Sequence, residues 1–95
     1  MRQFAIYIGA DNDTGEQAGG WAVEDLLQKY KLSGTITSGT GFSSTWGSER
    51  STIVTIIQDA KFTPEVVEFA KDCRVTFGQS EVLLTEHQVE ATFLR

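Results

Sequence analysis

Phe4, Ile6 and Ile8 alternate with Ala5 and Tyr7 near the start of the chain. A period of two predicts a strand over residues 2–8, and apolar residues on both sides suit an inner strand with one face covered and the other touching a partner. Residues 9–20 are polar and contain glycine, which predicts a loop. Val23, Leu26, Leu27 and Tyr30 then recur at helical spacing, and Ala22 joins their stripe. Thr14-Gly15-Glu16-Gln17 has the form of a capping box, but a helix starting there would enclose Gly19 and Gly20. Each would cost about 1 kcal/mol, so the helix is expected to begin near Gly20, with Trp21 in its first turn and opposite the stripe.

Residues 33–42 predict a weaker strand in which Thr and Ile favour the pleat and the glycines mark a bulge or a close backbone approach. Residues 43–50 read as a loop. Residues 52–58 contain Thr52, Ile53, Val54, Thr55, Ile56 and Ile57, the profile of a buried central strand. Thr63-Pro64-Glu65 predicts a helix start: Thr63 as cap, Pro64 with its φ preset, Glu65 at the positive end of the dipole. Val66, Val67, Phe69, Ala70 and Cys73 form the inward stripe. Gly78 ends that run, residues 82–84 predict a short strand, Glu86-His87 a turn, and the alternation of Val89, Ala91 and Phe93 a last strand.

The order is β-α-β-β-α-β with an extra C-terminal strand. It predicts one α+β domain over residues 1–95: a ferredoxin-like antiparallel sheet with two helices on one face. Two short helices leave the other face bare, carrying Ala5, Tyr7 and half of the apolar residues of 53–57. A homo-oligomer paired through that open face is therefore expected.

Charge and composition narrow the function. Eight Lys+Arg against thirteen Asp+Glu give a formal net charge of −5. The basic residues are scattered, which argues against binding a nucleic acid duplex. The 40% hydrophobic content is that of a folded domain. No apolar run approaches the roughly 18 residues of a membrane span, and the start is too polar for a secretion signal. A cytoplasmic protein without membrane contact is expected.

Few groups stand ready for catalysis. Cys73 sits on an inward stripe, where a thiol is inert packing. His87 is the single histidine and lacks a partner at metal-ligand spacing, so neither a zinc site nor any other cofactor is expected. A hydrolase built on His87 and a carboxylate would have few mechanisms open to it. Asp11-Asn12-Asp13-Thr14-Gly15-Glu16 suggests calcium but fails the register of the EF-hand loop; the simpler reading is a polar turn. The segment richest in recognition chemistry is 39–50. Gly39, Gly41, Ser43, Ser44, Gly47 and Ser48 offer backbone N–H groups and hydroxyls, Trp46 a stacking plane and Arg50 a guanidinium. Those groups hold a phosphate or a nucleobase.

The order of elements, with Gly41-Phe42, then Glu49-Arg50-Ser51-Thr52 entering a β-branched strand, then Phe77-Gly78-Gln79-x-x-Val82, resembles a family of small uncharacterised α+β proteins found in phage genomes and a related bacterial domain of unknown function. The resemblance implies a ferredoxin-like fold and a phage origin, hence the host cell cytoplasm, and supplies no catalytic residue. The function expected is a non-enzymatic, phage-type binder that sequesters a small anionic, nucleotide-like ligand, such as a host-defence signal. The alternative is a protein-binding inhibitor that docks on a host enzyme through an acidic surface and Trp21.

Overall fold

The computed structural model describes residues 1–95 except Asn12, Trp46 and Arg95. Four strands, β1 (Arg2–Ile8), β2 (Thr35–Ser43), β3 (Gly47–Gln58) and β4 (Leu83–Gln88), form one sheet in the order β2-β3-β1-β4, with every neighbouring pair antiparallel. Helices α1 (Gly20–Lys29) and α2 (Thr63–Thr76) pack against one face. This is the ferredoxin-like arrangement expected from the sequence.

The core is the product of the two periodicities. Phe4, Ile6 and Ile8 of β1 and Val54 and Ile56 of β3 point to the helical side and are buried, as are Val23 and Leu27 of α1 and Val66, Phe69, Ala70 and Cys73 of α2. Burial pushes the Cys73 thiol up to about 12, so it stays protonated and unreactive. Trp21 is 74% exposed, as its angle from the α1 stripe requires.

Polar contacts then fix the loops over this core. The buried Thr52 hydroxyl donates to the Ala18 carbonyl at 3.1 Å, and the Gln17 amide donates to the Ser51 carbonyl at 2.9 Å, tying the β1–α1 connection to β3. Asp72 joins the helices: it accepts from Lys29 Nζ at 2.7 Å, Tyr30 OH at 2.8 Å and Thr76 Oγ1 at 3.1 Å. The Lys29 and Tyr30 hydrogen bonds hold its carboxyl below the usual 3.8. Its contribution is therefore complete above that value and fades as pH falls through the lower folded one. Asp72→Asn is expected to lower Tm by about 5 °C at neutral pH, with the gap to wild type closing in acid, as the carboxyl takes up its proton below 3.8. Thermal unfolding followed by circular dichroism across pH checks this, and a gap that widens in acid would contradict it.

Four local expectations change. The segment 43–50 is not a loop. β3 begins at Gly47, and pairing with β2 runs out to Ser43↔Gly47, because backbone hydrogen bonding continues where side chains are polar and show no apolar period. Glu86-His87 is not a turn, since β4 passes straight through it while pairing with β1. The extra C-terminal strand is absent among the described residues: the Val89 N–H donates to the Met1 carbonyl at 3.0 Å, and residues 90–94 lie outside the sheet. Thr63 does not cap α2. A short 3-10 turn, Ala60–Phe62, precedes the helix, and the Thr63 hydroxyl donates back to the Ala60 carbonyl at 2.7 Å.

Candidate functional site

Three segments converge where β1 ends: the β1 exit, the β2–β3 hairpin and the connection from α2 to β4. Two glycines allow the approach. Gly78 ends α2 at φ 64°, a left-handed conformation suited to glycine, and a side chain there would run into the Asp11 carboxylate. That carboxylate is already engaged, accepting from the N–H groups of Asp13 at 2.8 Å and Thr14 at 3.0 Å, and these bonds lower its pKa. The expected polar turn is formed. At Gly9, a methyl group would stand 2.5 Å from a Glu49 carboxylate oxygen and 3.0 Å from the Gln79 amide oxygen. The bare backbone at Gly9 is what lets those two acceptors approach it.

Gln79 is oriented by its own donors. Its Nε2 donates to the Ala10 carbonyl at 2.7 Å and the Phe77 carbonyl at 3.2 Å, which turns its oxygen toward Gly9. The result is an open cleft of about 740 Å³. Tyr7 and Gly9 form its floor, Gly41, Phe42, Ser48, Glu49 and Ser51 its hairpin wall, and Gln79, Ser80, Glu81 and Leu83 the opposite wall. Its volume is that of a small-molecule site. Phe42 is 76% exposed and Leu83 59%, so the rim is apolar. The described lining includes two carboxylates, Glu49 and Glu81, and neither lysine nor arginine. The cleft has room for a small molecule, and the local charge is negative.

The residues singled out from the sequence are distributed unevenly. Gly41 and Ser48 line the cleft. Gly39 lies further along β2, opposite Ser51, while Ser43 and Gly47 close the hairpin and Ser44 stands in its turn. Arg50 pairs with Thr40 and shares the side of β3 that carries Thr52 and Val54, one residue out of phase with Glu49 and Ser51. Trp46 lies outside the described residues. Sequence reasoning passed over Tyr7, Gly9, Phe42, Glu49, Ser51, Ser80, Glu81 and Leu83 as site residues. Phe42, Glu49, Ser51 and Gln79 entered only within the motifs of the resemblance. A glycine directly after a strand was the one local signal. No group of three or more candidate metal ligands occurs among the described residues.

The fold is shared with a solved phage enzyme. A phage SAM lyase in its apo state superposes with a TM-score of 0.73 at 17% identity, over 90% of this chain and 78% of that one. A functionally unknown protein from Pediococcus pentosaceus superposes with a TM-score of 0.57 at 18% identity, over 99% of this chain and 96% of that one. No family model matches, and no curated protein matches by sequence. The expectation of a non-enzymatic chain is overturned by the first likeness, in which this architecture belongs to an enzyme. A lone histidine and an inert cysteine are thus no argument against catalysis. No described helix is long and apolar enough to cross a membrane.

Proposed function

We propose that the cleft binds S-adenosylmethionine and that the chain splits it as a lyase. The observation that carries this reading is an acidic, aromatic-rimmed cleft on a fold shared with a phage SAM lyase. The ligand class differs from the anion expected from the hairpin, because a phosphate would face Glu49 and Glu81. A sulfonium is a permanent cation. Carboxylates balance its charge, the Tyr7 and Phe42 rings offer their negative faces, and Phe42 gives the adenine a plane to stack on. The nucleoside part of the earlier expectation is retained.

The chemistry asks little of the protein. As the carbon–sulfur bond breaks, sulfur keeps the bonding pair and leaves as a neutral thioether. The pair that replaces it at carbon comes from within the substrate. No leaving group needs a proton, so a general acid is dispensable and orientation is the main catalytic demand. Consumption of the ligand takes the place of sequestration. A phage origin fits the reading. So does self-association, because Tyr7, Ile57 and Leu83 stay 38–59% exposed on the open face.

The test is incubation with S-adenosylmethionine, followed by chromatography for a thioether nucleoside, beside thermal-shift titrations with the same compound, with its neutral thioether analogue and with cyclic nucleotides. Turnover together with a shift restricted to the sulfonium is expected. No product and no sulfonium shift, or a shift only with cyclic nucleotides, would overturn the reading.

A further inference from the structure

The C-terminal segment has a strand's sequence but leaves the sheet after Val89. Val89, Ala91 and Phe93 alternate with Glu90 and Thr92, a period of two. Yet residues 90–94 lie outside the sheet, with Phe93 71% and Leu94 91% exposed. Val89, whose N–H donates to the Met1 carbonyl, and Ala91 are half-buried, while the rest of the segment to Leu94 is exposed.

The complementary feature is at the far side of the sheet. β2 is an edge strand of nine residues, TITSGTGFS, whose strand pairing among the described residues is with β3; the Ser38 hydroxyl also accepts from Gln17 Nε2 at 3.2 Å. Native sheets guard such edges with charged residues or proline, and β2 contains neither. The opposite edge, β4, carries Glu86 and His87. By register, Ile36 and Phe42 lie on one side of β2, and Phe42 is 76% exposed there. An unguarded edge with an uncovered aromatic and a strand-patterned arm with uncovered apolar residues therefore occur in the same chain, too far round the sheet to meet within it.

The geometry points to strand exchange between copies: the arm 89–94 of one copy adds to the β2 edge of a second, its Val89, Ala91 and Phe93 row covering Ile36 and Phe42. Backbone hydrogen bonds supply affinity, and alternate side chains supply register. The contact runs arm to edge rather than face to face, and both a reciprocal exchange between two copies and a closed ring satisfy it. It also sets a partner's arm beside Phe42, at the rim of the cleft. The inference is independent of the proposed chemistry, since it rests on the edge and the arm alone.

Two variants test it, with mass measured by light scattering at micromolar concentration. One is truncated after Val89; the other carries Thr40→Lys and Phe42→Lys on the β2 edge. Wild type is expected as a multi-chain species, and each variant alone at a lower mass with an unchanged circular dichroism spectrum. Mixed, the two are expected to recover a two-chain complex, because one retains the edge and the other the arm. A single-chain wild type, or variants that both keep the wild-type mass, would overturn the inference. Should the truncated chain fail to fold, the edge variant decides: retention of the wild-type mass sinks the proposal, and loss of it supports it.

Discussion

Glu49→Gln is expected to weaken binding of S-adenosylmethionine by about 10–100-fold, the loss typical when a charged group opposite a ligand charge becomes neutral. The substitution keeps the size and shape of the side chain, so the packing over Gly9 is preserved and the effect isolates charge. Glu49 is suited to this role because it is half-buried, projects over the bare Gly9 backbone beside the Gln79 oxygen, and makes no ion pair among the described residues. Its charge is therefore available to a ligand. The neutral thioether analogue should bind wild type and variant equally. Isothermal titration of both compounds against both proteins decides the matter: an equal loss for both would mean that Glu49 supports the wall and does not read charge. A loss confined to the sulfonium would match the proposed reading.

Phe69→Ala is expected to cost about 3–5 kcal/mol of stability, the range for removing a buried aromatic and leaving a cavity. Phe69 is completely buried on α2, and its ring meets the Tyr30 ring edge-on at 6.2 Å and 79°. It thus joins α2, α1 and the sheet at one point. A domain of this size has about 5–15 kcal/mol in total, so the variant would sit close to its unfolding threshold. Urea unfolding at neutral pH measures the difference, and a loss under about 1 kcal/mol would show that the centre of the core collapses readily around the gap. Tyr30→Phe is a useful companion. It keeps the ring pair but removes the hydroxyl donated to Asp72, so it should act through the polar tie alone.

Much of the architecture is legible in the chain. Phe4, Ile6 and Ile8, the stripe of Val23 and Leu27, the β-branched run at 52–57 and the Pro64 start each carry a period or a local signal, and all lead to the elements observed. The errors over the strands share a cause. Residues 47–50 and 86–88 are strand because an adjacent backbone pairs with them, whereas 90–94 lie outside the sheet among the described residues. Pairing depends on what lies alongside, which a local pattern does not contain.

The site was less legible for a related reason. Its hairpin wall was recognised as chemically rich, but attention went to Arg50 and Trp46 for an anion, whereas Glu49 and Ser51 share the side of β3 opposite to Arg50. A one-residue difference in phase reverses the sign of the charge that a strand presents to a face.

By itself, then, the sequence determined where the two helices and the apolar stretches of the strands lie, which side of each is apolar, and so the ferredoxin-like layering, because hydrophobic periodicity is a local property that burial converts directly into packing. The tertiary structure alone decided that Gly9, Glu49, Gln79 and Glu81 surround one acidic cleft and that an unguarded edge and an unpaired arm coexist. Those residues lie up to some seventy positions apart along the chain, and only the folded path of the backbone brings them together.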